Sequence, residues 1–264
     1  MNPIGATRQP AVAGSFYPAS PKELRAQVER LLAGARPAAV EPKALIAPHA
    51  GYIYSGPIAA SAYATLAPFA ARIRRVVLLG PSHFVPVEGL ALPQAGAFAT
   101  PLGAIELDRA ALTMLEGHPA VCVLDEAHQR EHSLEVQLPF LQVALPGFTL
   151  VPLAVGHATP EQTASVLDLL WGDEETLIVI SSDLSHYLSY EAAAVVDAET
   201  ARAIERLDDE LLDGDHACGC HPIRGLLQVA RRRGLRVVPL DRRSSGDTAG
   251  DKRRVVGYGA WAFS

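Results

Sequence analysis

The sequence predicts a single α/β domain over residues 1–264, with a central mixed, largely parallel sheet flanked by helices. Three observations predict this fold. Strand-like and helix-like segments alternate along the chain, as they do in α/β proteins. Three of the strand-like segments are continuous runs of Leu, Ile and Val, which is typical of parallel strands covered on both faces. The length of 264 residues suits one large domain or at most two small ones.

Each of these three apolar runs is followed within a few residues by polar side chains suited to a site. In chain order they are His49, His83, and the pair Asp183 and His186. Ligands in open α/β sheets bind just beyond the carboxyl ends of the strands. The sequence therefore predicts that these side chains meet at one edge of the sheet.

Turn and capping signals place the other elements of the first half of the chain. Ser20-Pro21-Lys22-Glu23 combines a capping box with a proline at the first helical position, which predicts a helix that ends near Gly34. Ser55-Gly56-Pro57 predicts the start of an alanine-rich helix. The patterns that follow predict, in order, a strand at 89–92, a loop or short hairpin at 98–103 and a helix at 108–116.

In the second half, a helix is predicted from Glu131 because four leucines recur at helical spacing. They are Leu134, Leu138, Leu141 and Leu145. Pro139 lies inside that pattern and predicts a kink. The remaining elements are predicted as a strand at 148–155, a helix at 160–171, a strand at 176–181, helices at 190–207 and 221–234, and strands at 236–240 and 255–263.

Charge and composition exclude several classes of protein. A net charge of −6 argues against a nucleic-acid partner, which needs clustered positive charge. No apolar stretch reaches the roughly 18 to 20 residues that span a bilayer, and residues 1–10 lack the apolar core of a signal peptide. Three cysteines, Cys122, Cys218 and Cys220, are too few for a disulfide scaffold. We therefore expect a cytoplasmic protein without a membrane or nucleic-acid partner.

His49 and His83 are the leading candidates for metal ligands, because neutral imidazole is the commonest metal ligand and strand ends hold side chains rigidly. A third ligand is then needed, and the available carboxylates are Asp247, Asp251 and Asp183. Two histidines and a carboxylate form the facial triad of non-haem Fe(II). The same set also occurs at catalytic zinc. Spacing alone does not separate the two metals.

His132 and His186 are expected to lie around this metal, where an imidazole can act as a general acid or base. Asp183 either orients His186 or binds substrate, or it caps the turn that follows. Glu135, one helical turn after His132, is interpreted as its surface partner. Cys218 stands at a helix start, where a thiolate would be stabilised.

Other catalytic motifs are absent from the sequence. Cys218-Gly219-Cys220-His221 is too compact for the usual structural zinc spacing, and no second half of such a site follows. There is no phosphate-binding glycine motif, and Ser82 and Ser182 lack the setting of a hydrolase nucleophile. Nucleotide-dependent and serine-hydrolase functions are therefore excluded.

Several motifs occur in a fixed order over nearly the whole chain, and together they resemble the MEMO family, whose prokaryotic branch is also called AmmeMemoRadiSam system protein B. They are Ala13-Gly14-Ser15-Phe16-Tyr17-Pro18, Ala47-Pro48-His49-Ala50-Gly51-Tyr52, Gly80-Pro81-Ser82-His83, Thr100-Pro101-Leu102-Gly103, Glu131-His132-Ser133-Leu134-Glu135, Ser181-Ser182-Asp183-Leu184-Ser185-His186, Ala217-Cys218-Gly219 and Ser244-Ser245-Gly246-Asp247.

The resemblance implies a fold similar to the class III extradiol dioxygenases, which cleave catechol-type rings with Fe(II) held by two histidines and a glutamate. Their metal histidines match His49 and His83. Family members with a metal site take a third ligand from the late loop, a cysteine in animal proteins, and Asp247 stands at that position here. The loss of the thiolate favours Fe(II), with Mn(II) or Zn(II) as alternatives, over Cu(I).

The resemblance also implies roles for the surrounding residues and suggests partners. His186 matches the acid/base histidine of the dioxygenases, His132 a second pocket histidine, and Asp183 a site residue. AMMECR-like and radical-SAM proteins of the same system are implied partners. Three functions follow: a non-haem iron redox enzyme acting on an unknown small molecule, a non-catalytic module that binds a peptide or protein in the same pocket, or a metal-dependent hydrolase.

Overall fold

Strands and helices alternate along residues 5–264, the part of the chain that this computed structural model describes. The strands are β1 Thr7–Arg8, β2 Ala44–Ala47, β3 Arg75–Pro81, β4 Leu90–Leu92, β5 Ala97–Thr100, β6 Gly103–Glu106, β7 Val121–Val123, β8 Thr149–Val155, β9 Thr176–Ser181, β10 His186–Leu188, β11 Val237–Ser244 and β12 Val255–Phe263. The α-helices are α1 Pro21–Gly34, α2 Tyr52–Tyr63, α3 Arg109–Leu115, α4 Glu126–Gln129, α5 Leu138–Ala144, α6 Pro160–Leu170, α7 Tyr190–Glu205, α8 Cys220–Arg233 and α9 Ser245–Thr248, and short 3₁₀ turns lie at Ala64–Leu66 and Glu135–Gln137.

The predicted α/β fold with a mixed sheet is confirmed. Its centre is parallel, in the order β2-β9-β3-β8, and antiparallel strands extend it at both sides. β4 pairs antiparallel with β8 and carries β7, while β12 pairs antiparallel with β2 and carries β10 and β11. β1, β5 and β6 form a separate small sheet.

Helices cover the central strands, which explains their continuous apolar sequences. Every residue of β2 and β9 is buried. α2 contacts β2, β11 and β12 and packs with α1 and α5, whereas α6 packs with α8, which contacts β3. Both faces of a parallel sheet are normally covered in this way. Within residues 5–264, no helix combines the length and apolar character needed to cross a bilayer.

The register of the central strands brings the ends of three strands to one edge. Ala47 of β2 pairs with Ser181 of β9, so the chain leaves both strands side by side toward His49 and Asp183. β3 runs parallel to β9 and ends two residues before His83. The predicted meeting of these residues at the carboxyl edge therefore follows from strand register.

The segment after Glu131 differs from the predicted kinked helix. Residues 131–134 are irregular, and the α-helix begins only at Leu138, so Pro139 lies in the first helical turn and introduces no kink. Proline is tolerated there because the first amides of a helix have no intrahelical partner. The irregular stretch lies against Gly80 of β3, where an added Cβ would come within 2.7 Å of the Ser133 Oγ.

α2 begins about one turn before the predicted Ser55-Gly56-Pro57 start. The amides of Tyr54 and Ser55 bond to the carbonyl of Gly51, which opens the helix at Tyr52. Pro57, which the sequence analysis interpreted as part of a helix start, therefore lies in the interior of a helix that tertiary packing stabilises.

Candidate metal centre

An open cavity of about 820 Å³ lies at the carboxyl edge of the central strands. Its polar lining consists of four histidines with Asp183, Ser245, Asp251, Arg253 and Arg254, and its remaining walls are aromatic, aliphatic and glycine residues. The predicted site residues that line it are His49, His83, His132, Asp183 and His186, together with Asp251, one of the three carboxylates considered as a third ligand.

Three of these histidines form a compact cluster. His49, His83 and His132 each offer a ring nitrogen, and the three nitrogens lie within 4.8 Å of one another. The ring centroids are 5.3 Å apart for His49 and His83, 5.5 Å for His49 and His132, and 4.8 Å for His83 and His132. Such spacing lets one ion contact all three imidazoles.

Ser181 orients the His49 ring. Its Oγ lies 2.8 Å from Nδ1 of His49 and donates to the carbonyl of Ser133 at 2.6 Å. Gln137 Nε2 donates to the same Oγ at 2.7 Å, while its Oε1 accepts from the Tyr63 hydroxyl. The hydroxyl proton of Ser181 is therefore donated to the Ser133 carbonyl. Nδ1 of His49 must then be protonated and donate to the Ser181 Oγ. Nε2 of His49 therefore carries the ring's lone pair.

Glu131 orients the ring of His83, as Ser181 orients that of His49. Its carboxylate accepts from the backbone amide of His83 at 2.6 Å and from Nδ1 at 2.8 Å, and it also accepts from the amide of Ser133. Nδ1 of His132 lies 3.6 Å away from the same carboxylate. A carboxylate on one imidazole nitrogen fixes the ring and makes the other nitrogen a better ligand. The sequence analysis did not single out Glu131.

Hydrogen bonds from His83 and Ser133 keep the buried carboxylate of Glu131 ionised. Burial alone would raise the pKa of Glu131, but the hydrogen bonds and charge of His83, with the amide of Ser133, lower it to about 2. Burial lowers the pKa of His49 well below its usual value and lowers that of His132. The cluster therefore combines an anionic support with two imidazoles, those of His49 and His132, whose burial favours the neutral form that binds a metal.

Glu135 is not the surface partner of His132 that the sequence suggested. It is fully buried, pairs with Arg8, and accepts from the amides of Ala11 and Val12 and from the Tyr17 hydroxyl. Arg8 also donates to the carbonyls of His128 and Glu131. The entry segment of the chain is thereby tied to the segment that carries His132.

Asp183 lies at the base of the cavity beside His49. Its Oδ1 accepts from the backbone amide of His49 at 2.7 Å. Burial raises the pKa of Asp183 to about 7, against the opposing amide bonds of His49 and Ala50. Burial also lowers the pKa of His186, which lines the same cavity. Asp183 can therefore exchange a proton near neutral pH, whereas burial favours the neutral form of His186.

Cys218 contacts the back of this site. Its Sγ lies 3.4 Å from Nε2 of His49 and accepts from the amide of Asp183 at 3.3 Å. Burial, followed by the charge of Asp183, raises the pKa of the Cys218 thiol. The stabilised thiolate expected at a helix start is therefore not what the environment favours.

Asp247 does not join the histidines. Its Oδ1 accepts from the Tyr190 hydroxyl at 2.6 Å, and its Oδ2 accepts from the amide and hydroxyl of Ser244 in a capping box of α9. It lines a separate, small cavity with Tyr190 and Ser244. In the structure the cluster consists of His49, His83 and His132, and Asp247, expected as the third ligand, lies outside it.

The donor set fits a divalent transition metal. Three imidazoles suit Fe, Zn, Cu or Ni better than Mg or Ca, which prefer oxygen ligands. Hydrogen bonds fix two of the rings, and the cluster opens onto the cavity, so coordination positions remain for water or a ligand.

Fold and site together define an α/β protein with a cavity that can hold a metal ion. The family model described as "Memo-like protein" matches residues 8–262, and the chain belongs to this family. The MEMO1 family protein of Saccharolobus solfataricus is 37% identical over 281 residues, covering 97% of this chain and 99% of that one. The MEMO1 family protein of Metallosphaera sedula is 34% identical with the same coverage.

A solved structure shows the same fold. The crystal structure of an uncharacterized protein from Escherichia coli K12 superposes with a TM-score of 0.52 at 15% identity, covering 84% of this chain and 99% of that one. At this identity the similarity concerns the fold alone. The resemblance to the MEMO family is confirmed by the family model and the relatives.

Proposed function

We propose that this protein is a metal-dependent oxidoreductase that holds non-haem Fe(II) at His49, His83 and His132 and acts on a small molecule. The observation that carries the proposal is the convergence of three ring nitrogens within 4.8 Å at an open cavity. Imidazole ligands with open positions are the setting in which iron enzymes bind and activate small molecules.

Each residue of the site then has a role. The metal would act as a Lewis acid and redox centre for a molecule in the cavity. Glu131 and Ser181 hold the rings of His83 and His49 through Nδ1, which leaves Nε2 of each ring as the nitrogen available to a metal. Asp183 and His186 accept and return protons, since both line the cavity and the pKa of Asp183 is raised to about 7.

A metal-dependent hydrolase is the second candidate, and one observation favours it. The third member of the cluster is a histidine rather than the expected carboxylate Asp247. Three histidines with an open position are also a catalytic zinc set, in which the metal lowers the pKa of its water. Zn(II) and Mn(II) therefore remain alternatives to Fe(II).

Cytoplasmic location and direct contact with AMMECR-like and radical-SAM proteins remain predictions.

Metal analysis after anaerobic purification tests the proposal. We expect about one metal ion per chain, lost in His49→Ala, His83→Ala and His132→Ala but retained in Asp247→Ala. His157→Ala, which removes an exposed histidine, is the matched control. Loss of metal in Asp247→Ala with retention in His132→Ala would restore the ligand set predicted from the sequence.

Two further measurements separate the candidates. An iron oxidoreductase should bind nitric oxide in its Fe(II) form and consume oxygen with a substrate. A hydrolase should turn over without oxygen when loaded with Zn(II). Failure to bind Fe(II), Mn(II) or Zn(II) after anaerobic reconstitution would refute both, and the pocket would then be a binding module for a peptide or protein.

A further inference from the structure

One strand builds the wall of the cavity that faces the histidines. Val256 and Tyr258 of β12 line the cavity, because alternate residues of a strand point to the same side, and Arg254, which directly precedes the strand, lines it too. Val255 is fully buried and lies on the other side, as does Gly257, next to Asp197. The wall therefore presents a cation, an aliphatic side chain and a phenol in a row. With a rise of about 3.3 Å per residue in a strand, the Cα atoms of Arg254 and Tyr258 are at most roughly 13 Å apart.

Tyr258 forms the deep end of this row. Tyr258 is 1% exposed and lines the cavity, and within residues 5–264 its hydroxyl makes no hydrogen bond to a protein group. Burial, and then the nearby charge of Asp183, raise the pKa of Tyr258, so the phenol remains a donor. A proton donor without a partner at a cavity wall is suited to an oxygen of a bound ligand.

Arg254 forms the outer end. Its guanidinium stacks on the ring of Tyr187 at 5.2 Å, and in the described part of the chain it has no carboxylate within ion-pair distance. The neighbouring Arg253 differs, because it is paired with Asp251 at 2.8 Å. An unpaired guanidinium with a planar fork is suited to a carboxylate.

Tyr187 is held at the mouth by an unusual backbone. Its φ of 60° lies in the left-handed region, which is rare outside glycine, and the pairing of β10 with β12 is irregular at this residue. The side chain is 64% exposed despite its size. Backbone strain of this kind is retained where the surrounding structure serves a site. Phe16 and Tyr54 line the same cavity and supply further aromatic surface.

We propose that the cavity takes a small aromatic acid that lies along β12, with a ring oxygen at the Tyr258 hydroxyl beside the metal centre and its carboxylate at Arg254. The inference deepens the proposed function, on which its metal-facing end rests. Arg254 and Tyr258 are then ligand-binding residues that set the chemical class of the substrate, and the aromatic side chains at the mouth contact its ring.

The test uses 4-hydroxybenzoate and its neutral isostere 4-hydroxybenzamide, titrated by NMR into the full chain in Zn(II)-loaded and chelator-treated forms. We expect wild type to bind the carboxylate about tenfold more tightly than the amide, the size of a charge-assisted hydrogen bond. Arg254→Gln should reduce this preference to about twofold or less. Arg206→Gln, which removes an exposed arginine outside the cavity lining, is the matched control and should keep it.

Tyr258→Phe removes only the hydroxyl and should weaken both probes by about five- to tenfold, without changing the preference between them. An equal preference in wild type and Arg254→Gln, or unchanged affinities in Tyr258→Phe, overturns the inference. So does a failure of both probes to bind either form. Metal content is measured on the same samples. If zinc does not bind, the proposed function fails while the chelator-treated series still decides this inference.

Discussion

The hydroxyl of Ser181 determines which nitrogen of His49 carries the proton. It donates to the carbonyl of Ser133, which can only accept, and it lies 2.8 Å from Nδ1 of His49. Nδ1 must then be the donor in that contact. The free lone pair of His49 is thereby placed on Nε2, the nitrogen that remains for a metal ion, before any metal binds.

Replacing Ser181 by alanine should weaken metal binding by about tenfold to a hundredfold, the usual effect of removing a group that orients a ligand. Stability should fall by about 1–3 kcal/mol, because Gln137 and His49 each lose a buried partner. Isothermal titration and urea unfolding measure the two effects. Ser61→Ala, which removes a hydrogen bond to Asp241 away from the cavity, should lower stability alone. Equal metal affinity in wild type and Ser181→Ala would contradict the orienting role.

Glu131→Gln should weaken metal binding by about tenfold or more. The wild-type carboxylate accepts from three donors on His83 and Ser133, whereas an amide has one oxygen and turns an N–H group toward them. Competition with a chromogenic chelator gives the affinity. Glu126→Gln, an exposed change on α4, is the control. If Glu131→Gln binds metal as tightly as this control, the carboxylate does not tune the site.

The buried ion pair between Arg8 and Glu135 holds the segment that begins at Arg8 against the segment that carries His132. Breaking a buried ion pair by removing one partner leaves an uncompensated charge and costs about 3–5 kcal/mol. We therefore expect Arg8→Met to lower the free energy of unfolding by about this amount. The double variant Arg8→Met with Glu135→Gln should be less destabilised than the sum of the single variants. Additive effects in urea unfolding would mean that the two side chains act independently.

The meeting of His49, His83 and Asp183 was predictable because it depends on a regular feature. Three continuous apolar runs indicated buried parallel strands, and parallel strands end at the same edge of a sheet. Ala47 and Ser181 are paired as this requires. The loops that connect strands and helices are harder to predict from the sequence, because side-chain hydrogen bonds determine their geometry.

His132 and Asp247 illustrate that limit. Leucines at helical spacing indicated a helix from Glu131, but the carboxylates of Glu131 and Glu135 bind backbone amides and hold the segment in an irregular form. This irregular form turns His132 into the cluster. Ser244 and Asp247 have the spacing of a capping box, and that local pairing engages the carboxylate instead.

Cys218→Ala should bind metal at least as tightly as wild type. Burial raises the pKa of the thiol, so Cys218 remains protonated and its S–H group competes for Nε2 of His49 at 3.4 Å. Removing it frees that nitrogen. Cys220→Ala, which removes a second buried thiol, is the control. A marked loss of metal in Cys218→Ala alone would identify the sulfur as a ligand.

Acid should destabilise the fold partly through His128. Burial lowers its pKa to about 4, a shift that the hydrogen bond to the carbonyl of Ala91 only partly opposes. The unfolded chain, with a pKa near 6.5, therefore binds the proton first, and stability falls as pH drops from about 6.5 to 4. At 1.36 kcal/mol per pH unit, the loss at pH 5 is about 2 kcal/mol. Asp183 acts in the opposite direction, because its raised pKa lets the folded state bind a proton first.

A comparison of variants isolates the contribution of His128. His128→Gln lacks this titration. The difference in free energy of unfolding between wild type and His128→Gln should therefore be about 2 kcal/mol smaller at pH 5 than at pH 7. Urea unfolding at the two pH values measures the change. His118→Gln removes a partly exposed histidine and should leave its own difference from wild type nearly constant. A deficit in His128→Gln that is equal at both pH values would show that the buried imidazole does not resist protonation in the folded protein.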